Sequence, residues 1–307
     1  MTYRISYRVH LTGALTAGGL LLNVTAVTAQ PAQQQSKIAS GIDEAVRAIG
    51  HLPRLKKMSP QSKRQLVEFV MGNTLFAMAH EIGHGLINEM NMPVLGREED
   101  AADSFAVVNA LKMASVFTER VLIEAAKGWI LAGKRDKKQG KPLAFYDEHG
   151  LDLQRAYNVV CFMVGSDPKK YKALAAYTKL PEYRQISCAV DWKNTSWSWD
   201  EKLKPHLRSA DKQKVTIKVE YQNDEKYPIQ ARVLRHLGLL EAFAANAADR
   251  YAWPNPFSIV ARSCGEANAR WSSANRTLTL CYELVNEFIE LFLGSPTSLP
   301  RKNRTVR

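Results

Sequence analysis

The chain has 307 residues, of which 46% are apolar and 23% charged. This is enough for one large domain or two small ones around a sizeable core, and it excludes a chain disordered over most of its length. The formal charge is +12, but no nucleic-acid module accompanies it; the excess reads first as a basic soluble surface and second as a source of weak association with anionic envelope surfaces.

The first residues read as an export signal. Arg4 and Arg8 precede an uncharged run from Leu11 to Ala26, and Val27-Thr28-Ala29 offers small residues before Gln30. This pattern predicts a cleaved signal peptide over 1–29 and an exported protein, periplasmic or extracellular. A retained membrane anchor is the competing reading; the run is short and rich in Gly and Thr for a spanning helix. Residues 30–59 then read as a linker with a short helix over Ile42–Ile49.

Ser59-Pro60 is a strong helix start, and apolar residues at helical spacing continue to about Met90, with Gly72-Asn73 as a candidate kink. Pro93 and Gly96 end this helix. A second helix opens near Glu98 and continues over Phe117–Leu131, followed by a loop over Gly133–Pro142 that carries the solvated run Lys134–Lys138. A third helix runs from Asp152 to about Val164, before Gly165-Ser166-Asp167-Pro168. The stretch holding Trp192, Trp197 and Trp199 has no clear period and reads as a packing patch.

Val215–Tyr221 alternates like a strand, and Pro228–Tyr251 is helical. Phe257–Ala261 and Thr277–Leu280 are strands, with Ser272–Asn275 turning between Ala269–Trp271 and the second of them. A closing helix covers Glu283–Leu293, so one domain spans 60–295, with a basic tail at 296–307. The class is helix-rich α+β, its small sheet built largely from C-terminal segments. The four cysteines, Cys161, Cys188, Cys264 and Cys281, suit two disulfides in an exported chain. Sequence order does not fix their connectivity; pairing of neighbours, Cys161–Cys188 and Cys264–Cys281, is the working expectation.

The chemistry is concentrated in His80-Glu81-Ile82-Gly83-His84. Two imidazoles four apart lie on one helical face and can converge on one ion, with Glu81 beside the open coordination position as general base. A catalytic zinc site takes a third protein ligand. Glu99, opening the next helix, supplies it, and Asp103 one turn further on can receive the free N–H of a liganding histidine. Glu98 and Asp100 read as ordinary acids at a helix N-terminus.

His80-Glu81-Ile82-Gly83-His84 followed by Glu99-Asp100-Ala101-Ala102-Asp103 resembles the gluzincin metallopeptidases, whose third ligand is that Glu. Pro93–Asp103, Asp147-Glu148-His149, Gly165–Pro168, Cys264–Ala269 and Leu280–Leu284 resemble more closely a bacterial family of unknown function described as exported metallopeptidases. The likeness covers most of residues 60–292. It implies zincin-like active-site helices, Zn2+ as cofactor and a peptide or protein substrate.

Zincins set a strand beside the active helix, but little strand signal precedes residue 60. The expectation is that the C-terminal hairpin packs there instead and offers its edge to an extended peptide. Zincins also add a His or Tyr for the oxyanion. His149 is the first candidate, with a capping role as its alternative, and Tyr282 the second, with a core position as its alternative. Arg155 and Asn158 are candidate lining residues; His51, His206 and His236 carry no pattern. A hydrolase of a non-peptide amide or ester, or a non-catalytic metal-stabilised binding protein, are the competing functions.

Overall fold

The computed structural model describes residues 40–50 and 52–294. The expected signal peptide, linker residues 30–39, His51 and the expected basic tail lie outside the described residues. Residues 40–50 are helical (α1). There follow α2 (Pro60–Glu89), α3 (Glu98–Lys112), α4 (Val116–Lys138), α5 (Asp152–Ser166), α6 (Lys172–Thr178), α7 (Glu182–Leu203), β1 (Ile217–Tyr221), α8 (Pro228–Leu237) and α9 (Leu239–Arg250). The chain closes with β2 (Phe257–Arg262), β3 (Ala269–Ser272), β4 (Thr277–Cys281) and α10 (Tyr282–Leu293). Among the described residues no helix is long and apolar enough to cross a membrane.

The organising element is α2. Its start follows from Ser59, whose Oγ accepts the Ser62 N–H at 3.1 Å, and from Pro60 in the first turn. It ends where Asn91 turns left-handed (φ 49°) and Met92 N–H bonds back to Ile87 O at 2.9 Å, ahead of Pro93. Because α2 is apolar on nearly every side, it is buried between two layers. Met78, Ile82 and Leu86 belong to a core shared with α8, α9, the sheet and α10. Phe76 belongs to a second core with α3 to α7.

α2 runs unbroken through Gly72-Asn73, the candidate kink. Both residues serve packing against α4: a Cβ on Gly72 would lie 2.7 Å from Glu124 Cβ. The Asn73 amide donates to Phe69 O and to Glu124 O, at 2.9 and 3.0 Å.

Three other expectations change for related reasons. The second helix does not continue to Leu131; α3 stops at Lys112, Ala114 takes φ 48°, and Ser115 caps a separate α4. α4 then runs through the expected loop to Lys138. Gly133 does not end it, since its missing side chain admits α5, whose Leu153 Cγ would be 3.1 Å from a Cβ. The tryptophan stretch is helix α7, tied to α5 by the Cys161–Cys188 disulfide and by Gly165, where a Cβ would meet Cys188 O at 2.1 Å.

The sheet has the order β1-β2-β4-β3. β1, β2 and β4 are parallel (Val219 opposite Ile259, Ile259 opposite Leu278), and β3 closes one edge antiparallel to β4 with Trp271 opposite Leu278. The Cys264–Cys281 disulfide and the Glu283 carboxylate, which accepts from the Cys264 and Gly265 N–H groups, fasten the β2–β3 loop to the start of α10. The β3 edge faces α2: the Trp271 indole lies on Gly85, where a Cβ would be 3.1 Å from it.

Candidate metal centre

Helix periodicity puts His80, Glu81 and His84 on neighbouring positions of α2. The first turns of α3 lie across from them because Gly83 has no side chain. A Cβ there would come 3.0 Å from Ala102 Cα. This close approach delivers Glu99 to the two histidines. His80 Nε2 is 2.9 Å from Glu99 Oε2, His84 Nε2 is 3.4 Å from the same oxygen, and the two Nε2 atoms are 3.1 Å apart.

This triangle suits one small cation. Tetrahedral ligands at zinc–nitrogen and zinc–oxygen bond lengths are separated by about 3.3 Å. The tautomers agree as well. His80 Nδ1–H donates to Asp103 Oδ1 at 2.8 Å and His84 Nδ1–H to Glu98 Oε1 at 2.7 Å, which leaves both Nε2 lone pairs for a shared ion. His149, on the loop before α5, adds a fourth donor, its Nε2 2.8 Å from Glu99 Oε2. The ligand atoms of His80, Glu99 and His149 lie within 4.8 Å of one another. Of the two groupings, the three donors of α2 and α3 are the tighter and sit on helices. His149 is on an exposed loop, where Asp147 braces it and its ring stacks on His80.

Behind His80 runs a chain of supports. Asp103 receives a two-pronged ion pair from Arg155, both bonds 2.7 Å, and the Arg155 guanidinium lies 3.8 Å over the Trp129 ring. Burial acts most strongly on Asp103 and pushes its carboxyl up, but the His80 and Arg155 hydrogen bonds together outweigh it and hold it at about 2.

The donor set is electron-rich. On His84 burial is the largest influence and lowers the pKa, yet Glu99 and Glu98 raise it to about 9. His80 is raised in the same sense: burial is again the largest influence and lowers it, and Asp103 and Glu99 outweigh it. In Glu99 burial is overcome by hydrogen bonds from His149, His80 and His84, which hold its carboxyl well below the usual range. A divalent ion would satisfy these acceptors in place of the protons.

Glu81 is buried, and burial raises its carboxyl more than the two imidazoles lower it. Its Oε2 accepts the backbone N–H of Trp271 at 2.7 Å. The cleft in front of these groups has a volume of ≈ 1010 Å³. One wall is β3, with Ala269 and Trp271, and Phe76, Trp129, Leu284 and Phe288 add apolar lining.

Not every expected residue reaches the cleft. Tyr282 does not: it is fully buried, and its hydroxyl donates to Gln222 O at 2.7 Å, which corrects its candidacy for the oxyanion. Asn158 is exposed and does not line the cleft, whereas Arg155 does. Sequence reasoning missed Glu98 as the partner of His84, Trp129 beneath Arg155, and the Trp271 amide. The Glu98–His84 pairing was accessible from the acidic run alone; the Trp271 amide, a backbone group 190 residues from Glu81, carries no signature.

No curated protein and no solved structure matches the chain. Residues 44–203 and 220–305, well over half of the chain, match a family model, DUF4344, whose description reads "Putative metallopeptidase". The matched segments include His80, Glu81, His84, Glu99, Asp103 and His149. With this donor set inside the match, the chain belongs to that metallopeptidase family.

Proposed function

We propose that the protein is an exported zinc peptidase in which His80, His84 and Glu99 hold the ion and Glu81 is the general base. The observation that carries this reading is the triangle of two Nε2 atoms and one carboxylate oxygen, 2.9–3.4 Å on a side, beside a buried carboxylate in an open cleft. When bound, zinc polarises a substrate carbonyl and acidifies water.

The chain's own groups account for the rest. Glu81, its carboxyl pushed up by burial, takes a proton from the attacking water and passes it to the leaving amine. The Trp271 N–H keeps that carboxylate turned toward the cleft. Asp103 and Arg155 fix the His80 ring. His149 faces the carbonyl oxygen as negative charge develops there.

The substrate lies along β3. The Trp271 N–H points out of the sheet, and by the two-residue strand period the backbone of Ala269 points the same way. The Trp271 N–H is taken by Glu81, so the Ala269 backbone is the group positioned to pair with an extended peptide. An apolar substrate side chain fits the part lined by Phe76, Trp129 and Phe288. Two disulfides agree with an oxidising compartment and so with export.

A quenched-peptide library tests the reading. Cleavage that stops with chelator, returns with zinc and is lost in Glu81→Gln is expected. Chelator-sensitive hydrolysis of amide or ester probes but not of peptides would move the substrate to the non-peptide class. One observation favours a second reading: His149, as a fourth donor, would close the site and make it structural. His149→Ala decides between them. Unchanged zinc content with slower cleavage supports the oxyanion role of His149, and loss of zinc puts it among the ligands.

A further inference from the structure

The loop that brings His149 to the centre carries a second feature that the hydrolytic reading does not use. Within four residues it presents Leu143, Phe145 and Tyr146 to solvent, at 61%, 79% and 92% exposure. Directly before them the exposed cations Lys134, Lys137 and Lys138 lie on the last turns of α4, and the exposed Lys141 follows the helix end.

The helix end holds the two sets together. Gly140 takes φ 67°, Gly140 N–H bonds to Lys137 O, and Lys141 N–H bonds to Asp136 O at 3.0 Å. Lys141 Nζ also pairs with Asp136. The chain leaving α4 is thereby folded back on its last turn, and the apolar tips follow the cations within a few residues.

We propose that residues 134–146 form a surface that docks on an anionic lipid bilayer. The apolar tips would enter the headgroup boundary while the lysines meet lipid phosphates. Exposed aromatic and aliphatic side chains preceded by lysines suit a membrane interface. Protein–protein interfaces are depleted in lysine, so the same composition fits a protein partner poorly. For comparison, on α7 Tyr183, Ile186, Val190 and Trp197 form an exposed apolar stripe at helical spacing, with the exposed Lys193 between Val190 and Trp197.

His149 follows Tyr146 by three residues. Docking through this segment therefore sets the mouth of the cleft at the membrane surface, within reach of segments that emerge from a bilayer. The docking itself does not depend on the hydrolytic reading.

The test is co-sedimentation of the purified protein with vesicles of phosphatidylcholine, alone or with phosphatidylglycerol. The expected result is binding to the mixed vesicles that weakens with salt, and little binding to neutral ones. Phe145→Ser with Tyr146→Ser should lower the partition about tenfold or more. Lys134→Gln, Lys137→Gln and Lys138→Gln together should lower it by a similar factor and flatten the salt dependence. Ile186→Ser with Trp197→Ser should leave it unchanged. In Phe145→Trp, tryptophan emission should shift to the blue on mixed vesicles.

Equal binding to both vesicle types would overturn the proposal. So would full binding by the Phe145/Tyr146 variant, or loss of binding in the α7 variant. A soluble arm with dextran sulfate separates lipid from simple polyanion. If the Phe145/Tyr146 variant binds vesicles and dextran sulfate as the unmodified protein does, the surface recognises charge alone and the bilayer proposal fails.

Discussion

The proposed metal centre has an inner and an outer flank, and they support the same kind of candidate ligand in opposite ways. On the inner flank the His80 ring is backed by Asp103, Asp103 by Arg155, and Arg155 by the face of Trp129. On the outer flank His84 is backed by Glu98, whose side chain is 49% exposed, and His149 by Asp147, which is also exposed. Rigidity at the centre is thus one-sided. The deep wall would fix where an ion sits, and the solvent side would keep freedom for a substrate to enter.

Predictions can break or sharpen that contrast. Glu81 stands between the flanks and has the largest expected effect on turnover: Glu81→Gln should cut hydrolysis about 10²–10⁴-fold with zinc content unchanged. An equally active variant would remove the carboxylate from the mechanism.

Acidity comes next. The ligand form of His84 is the neutral imidazole, and its pKa in the metal-free protein is raised to about 9. Zinc binding should therefore tighten as the pH rises toward about 9, by up to roughly tenfold per unit, and level off above it. The sign is opposite for the metal-free fold. A raised folded pKa gives a contribution fully present below about 6.5, the ordinary histidine value. That contribution is lost as the pH rises through about 9. Calorimetry with and without zinc across this range should show the two trends diverge; parallel trends would contradict the assignment of His84 as a ligand.

On the inner flank, Asp103→Asn should weaken zinc binding about 10–100-fold. Asp103→Ala should also destabilise the protein by about 3–5 kcal/mol, because Arg155 is left buried without its partner. The smallest effect belongs to the outer flank: Glu98→Gln should weaken zinc binding only a few-fold, since a half-exposed carboxylate contributes little. Competition titrations against a chromophoric chelator rank the two flanks. Equal losses for Asp103→Asn and Glu98→Gln would erase the asymmetry.

The parts legible in the sequence are those written at helical spacing. His80, Glu81, His84, Glu99 and Asp103 could be placed because one helix face and the start of the next lie close in the chain. The strand pair at Ala269–Trp271 and Thr277–Leu280 was equally readable from alternation. What escaped depends on distant partners. Gly72 and Gly133 look like punctuation in isolation, and only the neighbouring α4 and α5 show them to be points of close approach. Helix α7 was obscured because several large apolar residues, among them Tyr183, Ile186 and Val190, face solvent, so core periodicity is weak. The pairing of Arg155 with Asp103 joins residues 52 positions apart, and neither residue type announces it.

The hydrogen bond between Glu81 and Trp271 has a consequence for biogenesis. The carboxylate is made early, and the amide that anchors it only after 190 further residues. A nascent chain carries the whole His–Glu–His signature before it has the strand that orients it. Competence for the proposed hydrolysis then waits until residues 269–272 have been made and have paired into the sheet, which would keep the protein harmless to its neighbours while it is still folding.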